Sequence, residues 1–284
     1  MGGLAVEERG LEISVVIPTH DRRVLLPRAL DSVRAQTLAP REVIVVDDGS
    51  TDGTAEMLSR DFPEVTLLQQ EHSGVSVARN RGIEYGTATW IAFLDSDDEW
   101  RPCKLERQQA ALVEHPEALV CHTDEIWMRR GARVNQKKKH AKRGGSIFEH
   151  CLPLCCISPS SALLHRSVFG DVGLFDPSLP ACEDYDLWLR ITCRYPVLYV
   201  DEPLLVKHGG HADQLSQRHW GMDRFRIRSL ERLLADDVLT PQQRALARDT
   251  LAAKIRVYGA GAAKRGRRHE AERYLAKIGA SLGD

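Results

Sequence analysis

Three carboxylates lie within four residues of one another, directly after a short apolar segment, at Asp95, Asp97 and Asp98. Carboxylates this close repel one another unless a cation or hydrogen-bond donors neutralise them. Oxygen ligands suit Mg²⁺ or Mn²⁺, which take one or two protein carboxylates and complete their coordination with substrate phosphates and water. The spacing therefore predicts a Mg²⁺ or Mn²⁺ site beside an anionic substrate, with an acidic surface turn as the alternative.

Two further polar turns follow apolar segments in the same way. Asp47 and Asp48 precede Gly49, which permits a sharp turn that exposes a carboxylate to amide or hydroxyl donors. Capping of the next helix is the alternative role for this pair. The earlier turn is Pro18-Thr19-His20-Asp21. Each turn alone is weak evidence for a site, and their joint occurrence after neighbouring strands is the stronger signal.

The segments that carry these turns alternate between strand and helix patterns. Strands are predicted at residues 13–17, 42–46, 65–68 and 90–94, and helices at 24–35, 55–60 and 75–85. This alternation predicts an α/β fold with a mostly parallel sheet between helices. Ligands of such sheets bind beyond the carboxyl ends of the strands, so we expect the three polar turns to converge on one crevice.

The C-terminal part of the chain has a different pattern. Helices are predicted at residues 220–235, 241–260 and 270–278, with breaks at Thr240-Pro241 and Gly261. The sequence therefore predicts a catalytic domain over 1–216 and a helical extension over 217–284, which packs on that domain or forms a homodimer with a second subunit. Residues 128–145 are basic and predict a loop, either a solvated one or a patch for an anionic acceptor or a membrane surface.

Composition excludes several classes of protein. The 284 residues are 43% hydrophobic and 28% charged, as in soluble globular domains, which rules out a disordered or fibrous chain. Lys and Arg number 39 against 40 Asp and Glu, so there is no global basic field for nucleic acid. The apolar runs are shorter than the roughly 18 residues that a membrane helix needs. The acidic N-terminus lacks a signal-peptide pattern, and a cytoplasmic protein is expected.

Seven cysteines occur without a Cys-x-x-Cys pair. An odd number in a chain of this length argues against a disulfide framework. Small buried side chains are the favoured interpretation. A metal site at Cys151, Cys155 and Cys156 is the alternative.

Five ordered motifs together make the chain resemble glycosyltransferase family 2, the inverting nucleotide-sugar transferases with the Rossmann-like GT-A fold. The resemblance covers about residues 13–216, and His20-Asp21 replaces the family's usual Tyr-Asn after the first motif. The motifs are SVVIPT at 14–19, VVDDGSTDGT at 45–54, GVSVARNRG at 74–82, FLDSDD at 93–98, and VGLFD at 172–176 followed by EDYDLWLR at 183–190.

The resemblance implies roles for individual residues. Asp48 would bind the base, with uracil of a UDP-sugar expected, and Asp95 would contact the ribose or the metal. Asp97 would bind Mn²⁺ or Mg²⁺ at the diphosphate, and Asp184 would be the general base. His211 lies five residues before Ser216 and would approach the metal or diphosphate, although a polar turn with His208 is the alternative. The remaining expected nucleotide contacts are Pro18, Thr19, Asp21, Gly74, Asn80 and Ser96.

The sequence thus predicts a metal-assisted inverting glycosyltransferase that adds single sugars to a saccharide or lipid-linked acceptor in surface polysaccharide or glycolipid assembly. Gln217-Arg218-His219-Trp220 only approximates the Gln-x-x-Arg-Trp element of processive synthases. Two alternatives stay open. A non-catalytic nucleotide-sugar scaffold would be unaffected by loss of Asp184, and a nucleotidylyltransferase would need a Gly-rich phosphate loop, which residues 18–23 lack.

Overall fold

The computed structural model describes residues 10–210 and 219–281, which form nine strands and ten α-helices. The strands are β1 Ile13–Thr19, β2 Glu42–Asp48, β3 Thr66–Gln70, β4 Trp90–Phe93, β5 Glu99–Trp100, β6 Val120–Arg129, β7 Ala132–Val134, β8 Leu163–His165 and β9 Leu198–Gly209. The helices are α1 Leu26–Arg34, α2 Thr54–Asp61, α3 Val75–Tyr85, α4 Lys104–Glu114, α5 Phe148–Cys151, α6 Ser167–Val172, α7 Glu183–Thr192, α8 Asp223–Ala235, α9 Pro241–Lys264 and α10 Arg268–Ser281.

All strands belong to one sheet with the order β3-β2-β1-β4-β8-β6-β9-β5, and β7 pairs with β6. The half formed by β1 to β4 is parallel, as predicted, because helices cross between successive strands. Beyond β4, β8 runs antiparallel to both of its neighbours, whereas β6 and β9 are parallel to each other. Every residue of β1 is buried, which explains its continuous apolar sequence between two layers of helices.

Helix α3 lies unusually close to the sheet. A Cβ atom on Gly82 would stand 2.3 Å from Cγ1 of Val16 on β1, so only glycine permits this approach. The contact fixes α3 against β1, and Gly74 and Arg79 at its first turns belong to the site described below.

The C-terminal helices share a hydrophobic core with the helix that begins at Glu183. Leu187 and Trp188 of α7 pack in one cluster with Leu230 of α8 and Ile255 of α9, and Phe93 of the sheet belongs to the same cluster. Two of the three predicted helices correspond closely to α8 and α10. The helical extension therefore packs on the α/β body, the first of the two arrangements that the sequence left open.

The predicted break at Gly261 is wrong, because α9 continues to Lys264. Thr240 and Gln243 form a capping box with Pro241 at the first helical position, so this helix begins where the sequence predicts. Gly259 faces α10, and a Cβ atom there would lie 2.9 Å from Cγ of Leu275. Gly259 serves close packing of α9 on α10, and Gly261 does not end the helix.

The basic stretch is also more ordered than the predicted loop. Residues 120–134 form a hairpin of β6 and β7, because Arg130 and Gly131 adopt positive φ angles of 50° and 78° that suit a tight two-residue turn. Seven of its Lys and Arg side chains are exposed, namely Arg129, Arg130, Arg133, Lys137, Lys138, Lys139 and Arg143.

The described helices include none with both the length and the apolar character of a membrane span. All seven cysteines are unpaired. Four of them are buried, as predicted for small core residues: Cys121, Cys151, Cys156 and Cys182.

Candidate active site

The carboxyl ends of β1, β2 and β4 open into a cleft of about 730 Å³ that is closed on the other side by the start of α7, the end of β9 and part of α8. The predicted convergence of the three polar turns is therefore present in the structure. The predicted site residues that line this cleft are Pro18, Thr19, Asp48, Gly74, Asp95, Ser96, Asp97 and Asp184.

Asp48 is held by a ring of donors from the loop after β3. Its Oδ1 accepts hydrogen bonds from Gln70 Nε2 at 2.7 Å and the Ser73 amide at 2.8 Å, and its Oδ2 accepts one from the Gly74 amide at 2.8 Å. Burial opposes ionisation, but these donors outweigh it and hold the pKa of Asp48 below its ordinary value. The carboxylate therefore fixes the loop that begins α3, and Gly74 supplies the required φ of 94°.

Two imidazoles flank Asp48 at the mouth of the cleft. The rings of His20 and His72 stack with centroids 4.1 Å apart. The Nδ1 atoms of His20 and His72 lie 2.8 and 3.1 Å from the carbonyl oxygen of Asp48, and His72 Nδ1 is 2.9 Å from its Oδ2. His20, which stands where family 2 sequences have tyrosine, thus contributes a flat ring at this end of the cleft.

Two buried hydroxyls on the cleft wall lack a hydrogen-bond partner within the described part of the chain. They are Thr19 Oγ1 and Ser76 Oγ, and each residue is only 3% exposed. A buried polar atom without a partner costs free energy of about 1–3 kcal/mol. Because Thr19 and Ser76 both line the cleft, a bound ligand with polar atoms would satisfy them.

Arg79 connects the acidic turn after β4 to the first turn of α7. Its Nη2 donates to Asp95 Oδ1 and its Nη1 donates to Glu183 Oε1, both at 2.7 Å. Burial disfavours the charged guanidinium, yet the two carboxylates raise the pKa of Arg79 above its ordinary value. Burial and the neighbouring Asp184 raise the pKa of Glu183, which Arg79 opposes.

Asp98 and Lys207 form the floor of the cleft. Asp98 is 1% exposed and accepts hydrogen bonds from Ser160 Oγ at 2.7 Å and the His208 amide at 3.1 Å. Burial, reinforced by Asp97, raises the pKa of Asp98 well above its ordinary value, against the effect of Lys207. For Lys207, burial is outweighed by Glu125, Asp98 and Asp95, so the pKa of this ammonium is raised.

The donor set suits a divalent cation only in part. No group of three His, Cys, Asp or Glu side chains within residues 10–210 and 219–281 has the spacing of a metal site. Mg²⁺ needs only one or two protein carboxylates when a diphosphate supplies further oxygens. Asp97 has the oxygen chemistry that such an ion requires and lines the cleft between Asp95 and Asp98. The residues therefore fit a metal that binds together with a diphosphate.

Asp184 lies on the opposite wall, at the first turn of α7, whose N-terminal dipole favours a carboxylate. Its Oδ1 accepts a hydrogen bond from the Tyr185 amide at 2.7 Å, and its Oδ2 accepts one from the Cys155 thiol at 3.2 Å. The residue before this helix, Cys182, has a left-handed φ of 62°, an uncommon conformation that turns the chain sharply into α7.

Two predicted site residues, Asp21 and Asn80, stand apart from the cleft wall. Asp21 accepts a hydrogen bond from the Thr51 amide at 2.8 Å, which joins the turns after β1 and β2. Asn80 pairs with both backbone groups of Phe175, at 2.8 and 3.0 Å, and so ties α3 to the segment before α7. His211 lies outside the described residues. The nucleotide role of Asp21 and Asn80 and the metal role of His211 stay predictions.

The cleft also contains residues that the sequence did not single out as site residues. Arg79 lies within the motif at 74–82 and Lys207 directly precedes His208, so their positive charge beside acidic turns was the available signal. Arg226, from α8, gave no such signal, and the sequence offered Cys155 only as an alternative metal ligand. Only the folded chain brings both to Asp184. The further lining residues from the C-terminal part are His219 and Met222.

Comparison with known proteins shows the family of this chain. The family model described as Glycosyl transferase family 2 matches residues 14–173. The chain is 30% identical over 220 residues to a putative colanic acid biosynthesis glycosyl transferase, WcaA of Escherichia coli, covering 71% of this chain and 74% of that protein. It is 27% identical over 228 residues to a putative teichuronic acid biosynthesis glycosyltransferase, TuaG of Bacillus subtilis, covering 78% of this chain and 89% of that one.

Other relatives are much longer. An uncharacterized glycosyltransferase of Rickettsia felis is 28% identical over 213 residues, and the match covers 72% of this chain but 35% of the relative. Among solved structures, residues 1–349 of S. aureus TarS in complex with UDP-GlcNAc superpose with a TM-score of 0.68 at 19% identity, covering 87% of this chain and 72% of that one. This likeness shows that the fold is the GT-A fold.

Proposed function

The chain belongs to glycosyltransferase family 2, and from this premise we propose that it transfers a sugar from a UDP-sugar to an acceptor hydroxyl with inversion at the anomeric carbon. The observation that carries the proposal is the cleft itself, which is lined both by the acidic turn Asp95 to Asp98 and by the carboxylate of Asp184. An acidic turn of this kind can hold a metal ion beside a diphosphate. A donor between these walls would have its leaving group on one side and the acceptor on the other.

The nucleoside end of the donor would occupy the part of the cleft near Thr19 and Ser76, whose buried hydroxyls need partners. The stacked rings of His20 and His72 offer a flat surface beside Asp48 for the base. Asp48 itself is saturated by donors of its own chain, so in this structure it shapes the base pocket by fixing the loop that leads to Gly74. Solved relatives support the choice of nucleotide, since TarS has been captured with UDP-GlcNAc and with UDP.

The diphosphate would lie against the turn after β4. Asp97 would hold a Mn²⁺ or Mg²⁺ ion there, and such an ion supplies Lewis-acid neutralisation of the charge that develops on the leaving diphosphate. A mannosyltransferase of Pyrobaculum calidifontis, at a TM-score of 0.62 and 17% identity over 98% of this chain and 77% of that one, was solved with GDP-Man and Mn²⁺. Lys207 brings a fixed positive charge to the same floor of the cleft.

Asp184 would act as the general base. A carboxylate opposite the leaving group can accept the proton of the acceptor hydroxyl as its oxygen attacks the anomeric carbon in line with the departing diphosphate. No covalent intermediate is needed, and one displacement inverts the configuration. Glu183 is bound to Arg79 and buried, so of these two adjacent carboxylates Asp184 is the one that can receive a proton from an acceptor.

The acceptor is proposed to be a saccharide or lipid-linked saccharide of surface polysaccharide assembly, in keeping with the names of WcaA and TuaG. The exposed basic hairpin of β6 and β7 supports peripheral contact with an anionic membrane surface, since each Lys or Arg near such a surface contributes about 1 kcal/mol. Its strands lead into the cleft, because Trp127 and Met128 pair with Lys207 and His208. A homodimer through the helical extension and a cytoplasmic location stay predictions.

Titration calorimetry with UDP, GDP, CMP and dTDP, each with and without Mn²⁺, tests the proposal without an acceptor. We expect metal-dependent binding of UDP that is lost in Asp97→Ala and kept in Asp237→Ala, whose carboxylate is exposed beyond α8. Binding that is insensitive to both metal and Asp97 would contradict the metal assignment. Binding of none of the four nucleotides by the intact protein would overturn the donor site and favour a scaffold.

A further inference from the structure

A second cleft, of about 420 Å³, lies between α8 and α10 and borders the active cleft. Pro180 and His219 line both clefts, so the two spaces meet at these residues. Pro180 precedes the proposed base Asp184 by four residues on the same wall. An acceptor whose hydroxyl reaches Asp184 and whose chain runs past Pro180 and His219 would enter the second cleft.

The second cleft offers aromatic faces. Phe225 on α8 and Tyr274 on α10 are each partly exposed and line it. His219 meets Phe225 edge-on, with ring centroids 5.5 Å apart and planes at 85°. Partly exposed rings that are fixed by their neighbours give sugar rings a large contact area at low entropic cost.

The charge of the second cleft is positive. Arg224 and Arg228 line it from α8, and Arg224 lies over the ring of Phe225, 4.6 Å from the centroid. Among the described lining residues the carboxylate is Glu231, and Lys277 Nζ binds both of its oxygens at 2.7 and 2.9 Å. Two arginines therefore remain in excess. Planar guanidinium groups bind carboxylate and phosphate oxygens in pairs.

From this arrangement we propose that the second cleft binds the acceptor glycan at units that carry anionic groups, carboxylate or phosphate, while its terminal hydroxyl lies at Asp184. The aromatic faces contact the sugar rings and the arginines contact the charges. That the bound glycan is the acceptor rests on the proposed function. The binding site itself is formed mainly by residues of α8 and α10, and its affinity for glycans is measured separately.

Binding of three oligosaccharide probes tests this site directly. The probes are hexagalacturonate, a glycerol-phosphate hexamer and neutral maltohexaose, titrated into the full chain. We expect at least one acidic probe to bind about tenfold tighter than maltohexaose, and Arg224→Gln/Arg228→Gln to weaken that binding by about tenfold or more. The acidic probe that binds more tightly identifies carboxylate or phosphate as the preferred group. Arg256→Gln, an exposed arginine of α9 away from the cleft, should change the affinity less than about twofold.

Arg228 also donates to Ser178 Oγ at 2.9 Å, so the double variant could disturb the neighbouring loop. Arg224→Glu keeps that contact and should weaken acidic-probe binding at least as much. The proposal is overturned if neither acidic probe binds, if neutral and acidic probes bind equally, if the cleft variants bind as well as the wild type, or if Arg256→Gln weakens binding as much as they do. UDP affinity is measured in every variant. If UDP fails to bind the wild type while probe binding depends on Arg224, the donor proposal fails and the glycan site stands.

Discussion

Arg79 joins Asp95 to Glu183 through two hydrogen bonds of 2.7 Å, one from each terminal nitrogen of its guanidinium. Asp95 belongs to the wall proposed for the diphosphate, and Glu183 is the residue before the proposed base. One buried side chain on α3 therefore sets the separation between the two halves of the cleft. Because α3 is pressed onto β1 at Gly82, the position of this guanidinium is fixed by the core of the sheet.

Replacement of Arg79 should be strongly destabilising. Arg79→Met leaves the buried carboxylate of Glu183 without its cation, and removal of one partner from a buried ion pair costs about 3–5 kcal/mol. Urea denaturation measures the loss. Arg60→Met removes an exposed arginine that pairs with Asp61, and its effect should stay within about 0.5 kcal/mol. Equal losses of unfolding free energy in Arg79→Met and Arg60→Met would show that the buried ion pairs of Arg79 stabilise the fold no more than an exposed ion pair does.

Loss of Asp184 should affect turnover far more than donor binding. Asp184→Asn removes the proposed proton acceptor, so turnover of the donor sugar should slow by about 10²- to 10⁴-fold, while the UDP dissociation constant changes less than about twofold. Steady-state kinetics and calorimetry on the same protein separate the two effects. Asp237→Asn serves as the control. Unchanged turnover in Asp184→Asn would favour the non-catalytic scaffold.

Removal of the buried hydroxyls of Thr19 and Ser76 should lower UDP affinity without lowering stability. Thr19→Val and Ser76→Ala remove polar atoms that have no partner in the described structure, so neither change should lower the unfolding temperature of the ligand-free protein. Each should weaken UDP binding by about tenfold, because one hydrogen bond to the ligand is lost. Lower stability together with unchanged UDP affinity would mean that these hydroxyls serve the fold and not the ligand.

Lys104 predicts a pH dependence of stability. It is fully buried against the Trp100 ring and Gln108, and burial lowers the pKa of this ammonium to about 7. The unfolded chain therefore binds one more proton than the folded chain between about pH 7 and pH 10, so stability should rise with pH by up to about 1.4 kcal/mol per unit.

Lys104→Met should remove this slope and should be the more stable protein at pH 7, by about 1–3 kcal/mol. Chemical denaturation of both proteins at pH 7.0 and 9.5 provides the comparison. Lys139→Met, at an exposed position of the basic stretch, should leave the slope unchanged. If stability rises with pH in Lys104→Met as steeply as in the wild type, the group that titrates is not Lys104.

The parts of the fold that the sequence predicts well are those whose signal is local. Strands β1, β2 and β4 are short apolar runs that end in polar turns, and their carboxyl ends must meet once the sheet is parallel. The cleft and its acidic turns therefore follow from pattern alone. The start of α9 is also predicted from a local signal, because the capping box lies within the four adjacent residues Thr240 to Gln243.

The features that the sequence missed depend on distant parts of the chain. Gly261 carries an ordinary helix-breaking signal, but α9 continues through it to Lys264. The helix packs on α10 at Gly259, where a Cβ atom would lie 2.9 Å from Cγ of Leu275. Arg226 and Cys155 reach Asp184 from segments 42 and 29 residues away along the sequence. The hydrogen bonds that saturate Asp48 likewise depend on tertiary structure, because their donors are Gln70 at the end of β3 and Ser73 and Gly74 in the loop that follows.

The packing of α7 against the C-terminal helices has an evolutionary consequence. The C-terminal part that covers the apolar face beneath Asp184 also contributes Arg226 of α8, and His219 and Met222 just before α8, to the cleft. A recombination event that exchanged this end of the chain for that of a relative would alter the proposed acceptor side and the support of the proposed base in a single step. Under the proposed function, acceptor choice and the support of the proposed base would therefore change together.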